Sequence, residues 1–259
     1  MHDSLAEIRR AAARHGLNLV AAIPADRYDR TVGPALRVDV LDGAEAAAPA
    51  RARSIVLVGN GGGDFWRAYS EFAERHPGWR ERANPLDDYT REVIERDVAP
   101  AARESGTRCR TVYPFMQGGA TLNFIELAKL AGLGGPSIIG VVVHPVYGPW
   151  IAFRAALIVD LELDSPGAAL GFDPCPGCVS RSCMAACPAS AVAFPAGWDI
   201  PKCLTHRVEV EGGCASRCHA RAGCVIGPEH RYPDDELAYH QGRALAAMRP
   251  WYDAHIRPR

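Results

Sequence analysis

Eight cysteines fall within fifty residues, Cys175 to Cys224, and no other feature limits the fold as strongly. The chain has nine cysteines in all, and Cys109 stands apart. The first group reads Cys175-Pro-Gly-Cys178-Val-Ser-Arg-Ser-Cys183-Met-Ala-Ala-Cys187-Pro188, and the second comprises Cys203, Cys214, Cys218 and Cys224. From about Pro166 to Pro233 the chain is rich in Cys, Gly and Pro and shows little apolar periodicity. Such a segment cannot easily build its own core, so bound metal is expected to organise it. The N-terminus, MHDSLAEIRRAAARHG, is charged and lacks the apolar region of a signal peptide. The expected compartment is therefore the cytoplasm, where clustered cysteines are ligands rather than disulfides.

Each [4Fe–4S] cube takes four thiolates, so eight cysteines match two cubes. A tight loop points successive thiolates into one concavity, with backbone N–H groups facing the sulfurs. In two-cluster ferredoxins the fourth cysteine of a run serves the other cube. On that scheme Cys175, Cys178 and Cys183 join Cys224, while Cys187 joins Cys203, Cys214 and Cys218. Two departures stand out. Four residues, Val179–Ser182, separate the second and third cysteines where ferredoxins have two, and Cys224 is followed by Val225 rather than proline. A single cluster and a four-thiolate zinc site are the rival readings. Cys109 reads as a small packed residue. His206 and His219 lie among the cysteines and read as loop residues.

The rest of the chain alternates helical and strand patterns. Leu5, Ile8 and Ala12 recur at helical spacing over residues 4–16, with Gly16 as a stop. Leu17–Ile23 reads as a short strand, and residues 43–52 as a linker. Ser54–Gly59 is a continuous apolar run suited to a buried strand. Gly61–Gly63 reads as a flexible turn. Helices are expected over residues 64–75, 84–104 (Asn84 as cap, Pro85 at the first position) and 121–131. Arg110–Phe115, Ile138–His144 and Ile151–Leu163 are strand-rich, with a turn at Pro145–Pro149. A final polar helix is expected over Asp234–Met248, ending at Pro250. The apolar runs are too short to span a bilayer, and a formal net charge of −1 offers no broad basic field for nucleic acid or membrane.

The stretch LAKLAGLGGPSIIGVVVHPVYGPWIAFRAALIVDLEL, Leu127–Leu163, carries a resemblance. Its AGLG…HPxYGxW pattern, an apolar strand and then a ferredoxin-like cysteine segment are similar to epoxyqueuosine reductase; the opening helix and Leu19–Asp26 also fit that family. GVVVHPVYGPWIAFRAAL and Pro228–Tyr239 resemble the cblC cobalamin-processing proteins, which decyanate and dealkylate vitamin B12. Reductive dehalogenases are more distant relatives that combine the same two parts.

The resemblance implies an α+β chain with three parts. A nitroreductase-like α/β cobalamin-binding domain would occupy residues 1–165. A small ferredoxin-like two-cluster domain would follow over 166–233, then a C-terminal helix and tail over 234–259. It implies that His144, Pro145, Tyr147, Gly148 and Trp150 lie by the corrin, with Arg154 near the same cavity. It also implies that Gln117 and Gly118 border the cofactor; Gly118 falls where epoxyqueuosine reductases carry a proton-donating Asp, and glycine has no proton to give. Tyr113 and Glu126 are the acids to weigh in its place; no catalytic residue is assigned.

The activity implied is that of a cobalamin-binding iron–sulfur oxidoreductase that reduces corrinoid cobalt and removes its upper axial ligand. The alternatives are an epoxyqueuosine reductase-like, cobalamin-dependent reductase of another substrate, and a non-catalytic corrinoid chaperone or electron carrier. The partners implied are a corrinoid and an electron donor such as a flavodoxin, ferredoxin or reductase. Transfer RNA ranks lower, because the helical repeats that help bind it in epoxyqueuosine reductases are lacking here.

Overall fold

The computed structural model describes residues 4–41, 51–103, 107–115, 121–210 and 212–257. Contacts divide the chain into two units. One comprises Met1–Gly134 with Ile151–Phe172, the other Gly135–Trp150 with Asp173–Arg259. Residues 135–150 and the C-terminal helix thus group with the cysteine segment. The chain mixes helices with antiparallel strands, an α+β arrangement.

The first unit is built on a four-stranded antiparallel sheet, in the order Leu19–Pro24, Ser54–Gly61, Ile151–Val159, Cys109–Val112. All eight residues of Ser54–Gly61 are buried, as its unbroken apolar run requires of a central strand covered on both faces. Fully burying one of its Ile, Val or Leu side chains contributes roughly 1.5–3 kcal/mol. Helix Ser4–Ala13 buries Leu5, Ile8, Ala11 and Ala12, the stripe that its spacing dictates. Helix Asp64–Arg75 buries Phe65, Trp66, Tyr69 and Ala73.

The long helix expected over 84–104 runs from Pro85 to Arg103, with a π turn at Ile94–Val98. Pro100 supplies the reason. It has no N–H to donate and its ring crowds the preceding turn, so the helix widens just before it. Helix Phe124–Leu130 is shorter than expected and is capped by the Asn123 side chain, which accepts from the Glu126 N–H at 3.1 Å. The expected linker over 43–52 lies mostly outside the described residues.

The second unit has little regular structure apart from one long helix. Three short helices, Ser182–Ala186, Ile200–Glu209 and His219–Ala222, carry or flank cysteines. The apolar run Ile138–His144 is not the continuous strand its composition suggests: Val142–Val143 pairs with Gly135–Pro136, and His144 makes an isolated bridge to Gly148. Gly140 breaks the run at φ +77, and a Cβ there would stand 2.4 Å from the Trp198 ring. Ile138 packs instead with Val192 and Ala220, against Cys175, Cys183, Cys187 and Cys218. The final helix also departs from expectation. It runs Asp234–His255 straight through Pro250 rather than stopping before it. Tyr252, beyond the proline, is buried, and its hydroxyl bonds to Glu209, which anchors the extra turn.

Candidate functional site

The cysteine segment places its sulfurs in two sets. Cys175, Cys178, Cys183 and Cys224 line one cavity of about 430 Å³, counting the part open to solvent, together with Ile138, Arg181 and Ile226. Burial pushes the Cys183 thiol up, and the neighbouring Cys224, Cys175 and Cys178 push it further. The second set is Cys187, Cys203, Cys214 and Cys218. Burial again raises the Cys203 and Cys214 thiols, with Cys218 and Cys187 adding to both. Cys187 thus groups apart from the three cysteines that precede it, and Cys224 groups with them.

Backbone donors face the sulfurs. Ile138 N–H donates to Cys175 Sγ, Arg181 N–H to Cys178 Sγ, Ala191 N–H to Cys187 Sγ and Arg221 N–H to Cys218 Sγ, each at 3.4 Å. The Ile226 and Val225 N–H groups serve Cys224. Such donors stabilise sulfur that carries negative charge. Among the described residues no three His, Cys, Asp or Glu side chains are drawn together as ligands of one metal ion. The donor set and its cavity fit a thiolate-ligated cluster.

His144, Pro145, Tyr147, Gly148 and Trp150 come together in one turn of this unit. His144 and Gly148 exchange both backbone hydrogen bonds at 2.8 Å. The His144 Nδ1 accepts from the Val146 N–H at 3.1 Å and the Tyr147 N–H at 3.3 Å. Accepting there leaves the proton on Nε2. Burial holds the imidazole below its ordinary value, and His230 lowers it further, so the neutral form is favoured. His144 and Tyr147 are partly exposed and Pro145 is exposed. Trp150 is only 1% exposed and packs with Tyr232 and Leu237. It supports the turn from beneath.

The turn is fastened to both cysteine sets. Gly148 sits at φ +58, where a Cβ would stand 1.9 Å from the Ile226 carbonyl oxygen, two residues past Cys224. Gly227 faces it in the same conformation, 2.5 Å from the Tyr147 carbonyl carbon by the same measure. On the other side the Arg221 guanidinium donates from Nε (3.0 Å) and Nη2 to the Pro149 carbonyl, and lies 4.8 Å from the Trp150 ring centre. Sequence reasoning missed Arg221 and Gly227. The φ-permissive glycine after Cys224 was the only local hint.

Arg154 lies in the other unit, on strand Ile151–Val159. A register shift pairs Val58 with Ala155 and Gly59 with Phe153, leaving Arg154 as the extra residue of a bulge. Bulges re-aim side chains. Here the Arg154 Nε donates to Asn60 Oδ1 at 2.8 Å, and the guanidinium lies 4.6 Å from the Phe65 ring centre. Gln117 and Gly118 lie outside the described residues. Of the two substitute acids, the Tyr113 hydroxyl donates to Glu95 at 2.7 Å, and burial and that carboxylate push it well above the ordinary range. Glu126 pairs with Lys129 at 3.7 Å. Cys109 is buried, and burial raises its thiol to about 12, which fits a packing role.

The fold, a small antiparallel sheet with flanking helices joined to a second unit, is similar to that of several solved structures. The sequence itself matches no protein-family model and no curated protein. Epoxyqueuosine reductase from Streptococcus thermophilus superposes with a TM-score of 0.54 at 16% identity, over 90% of this chain and 68% of that one. The C. elegans B12-trafficking protein CblC superposes with a TM-score of 0.57 at 12% identity, over the whole of both chains. The reductive dehalogenase NpRdhA superposes at 0.51 and 20% identity, over 95% of this chain but only 35% of its own. At these identities the likeness is one of fold.

Proposed function

We propose that the chain is a cobalamin-binding iron–sulfur oxidoreductase that reduces corrinoid cobalt and removes its upper axial ligand. The observation that carries this reading is the cysteine unit: two sets of four thiols, with the His144–Trp150 turn fastened to both. The fold shared with a B12-trafficking protein and with a dehalogenase whose structure was described in terms of B12-dependent dehalogenation supports the corrinoid. On this reading the first part is a nitroreductase-like corrinoid domain and the second a ferredoxin-like one.

Iron–sulfur cubes, when bound, supply one-electron transfer. Cys175, Cys178, Cys183 and Cys224 would hold one cube, and Cys187, Cys203, Cys214 and Cys218 the other. The backbone donors to sulfur would favour the more negative, reduced form of such a cube. His144, Pro145 and Tyr147 present the exposed edge of the turn to the substrate, while Gly148 and Trp150 fix its shape. Neutral His144 offers Nε2–H as a donor without adding charge. The corrinoid substrate gains electrons at cobalt, which weakens its bond to the upper ligand and releases it. A flavodoxin, ferredoxin or reductase would supply the electrons.

Reduction of another substrate with cobalamin as cofactor, in the manner of epoxyqueuosine reductase, has the same fold support. That chemistry needs a proton donor, and Tyr113 and Glu126 are both engaged elsewhere. Anaerobic titration with cyanocobalamin and methylcobalamin, followed by visible spectroscopy under reductant, tests the proposal. A shift to the base-off spectrum with loss of the upper ligand is expected. Binding without ligand loss would favour the cofactor or chaperone readings, and no spectral change with either corrinoid would remove all the cobalamin readings.

A further inference from the structure

The four-residue gap between Cys178 and Cys183 sets this chain apart from the ferredoxin pattern, and it brings in one cation. Arg181 occupies the left-handed region at φ +45, an unfavourable conformation for a residue with a side chain. The bend puts its N–H on Cys178 Sγ at 3.4 Å. It also places the guanidinium carbon over the Phe194 ring, 3.8 Å from the ring centre. Phe194 itself packs in the small core that includes Cys175 and Cys183. Arg181 lines the cavity with Cys175, Cys178, Cys183 and Cys224, and its Nε is buried with no hydrogen-bond partner among the described residues. Val179, two positions earlier on the same loop, is 98% exposed, so the loop does not exist to bury apolar surface.

We infer that Arg181 is a positioning residue that raises the reduction potential of the cube held by Cys175, Cys178, Cys183 and Cys224. This rests on the iron–sulfur reading above. A thiolate-ligated cube is anionic, and one added electron makes it more so. A fixed cation beside it therefore favours the reduced state, more strongly where water is excluded. The electron enters the cube from the reductant, and no proton or bond is exchanged. The Phe194 ring holds the guanidinium in place and withholds it from bulk water.

The test is an anaerobic redox titration of the whole protein with dithionite, followed by electron paramagnetic resonance, with iron and acid-labile sulfide counted for each variant. In Arg181→Gln one of the two cluster signals is expected to become harder to reduce by about tenfold in equilibrium constant, ~59 mV for a one-electron couple, and the other to move much less. Arg181→Lys should recover most of the difference. Phe194→Leu, which keeps the charge but frees it, should move the same signal the same way by less, and it stands in should Arg181→Gln lose iron. No shift in any of these variants with the clusters intact, or an equal shift of both signals, overturns the inference alone. Wild-type protein without iron and sulfide overturns the iron–sulfur reading as well.

Discussion

The sheet unit and the cysteine unit are held together by different physics. In the first, Ser54–Gly61 is buried along its whole length between Leu19–Pro24 and Ile151–Val159, and helices cover it with continuous apolar stripes. In the second, the buried clusters among the described residues are small: Ile138, Val192 and Ala220 in one, Trp150, Tyr232 and Leu237 in the other. Its eight cysteines are all partly exposed and none is in a disulfide. One unit has enough apolar surface to fold by burial. The other has the donor atoms of a metal-organised domain and little else, so its order should follow its metal.

The sharpest way to break this contrast is to remove the metal. Chelation of iron under air should abolish amide protection across 175–224 in hydrogen-exchange mass spectrometry and leave the sheet strands protected. Equal loss in both units would mean that they fold as one. The next effect in size belongs to the sheet. Leu57→Ala should cost about 2–5 kcal/mol in denaturant unfolding of that unit while the cluster absorbance at a given denaturant-free condition stays unchanged.

Matched glycine substitutions give a smaller effect in each unit. Gly132→Ala would press a Cβ to 2.3 Å from the Gly167 carbonyl oxygen, and Gly148→Ala to 1.9 Å from that of Ile226. Each should cost about 1–3 kcal/mol as strained backbone. Only Gly148→Ala should also weaken corrinoid binding and speed loss of the cluster bound by Cys224. If Gly132→Ala does the same, the turn has no special link to the cysteines.

The smallest effect is in pH. His144 is held below its ordinary value by burial, so an unfolded chain takes up its proton first as the pH falls. Its contribution to stability is complete above about pH 6.5 and is lost as the pH drops from there towards the lower folded value. His144→Asn, which keeps an acceptor for the Val146 and Tyr147 N–H groups, should flatten that slope. An unchanged slope would assign it elsewhere, with His15, also lowered by burial in the sheet unit, as the first candidate.

The sheet unit was legible in the sequence because its signals are local. Apolar runs such as Ser54–Gly59 and helical stripes such as Leu5, Ile8 and Ala12 each report their own burial. The concentration of thiols in one segment was legible because spacing and thiol count carry it. What escaped depends on contacts distant in sequence. Ile138–Val143 has the composition of a strand, yet Gly140 must accommodate Trp198, and Ile138 turns its N–H to Cys175. Pro250 looks like a helix stop, but Tyr252 is tied to Glu209 and carries the helix past it. The meeting of Gly148 with the Ile226 backbone joins residues far apart in the chain, and no periodicity announces such a contact. Arg181 was visible only as part of an irregular gap.

Iron and acid-labile sulfide counted per chain in anaerobically purified protein, with Mössbauer spectra of the same sample, test the central claim most directly. Two cubes require about eight irons and as many sulfides, all in [4Fe–4S] form. Colourless protein holding zinc, or a count near four, would contradict the assignment of all eight cysteines to two clusters.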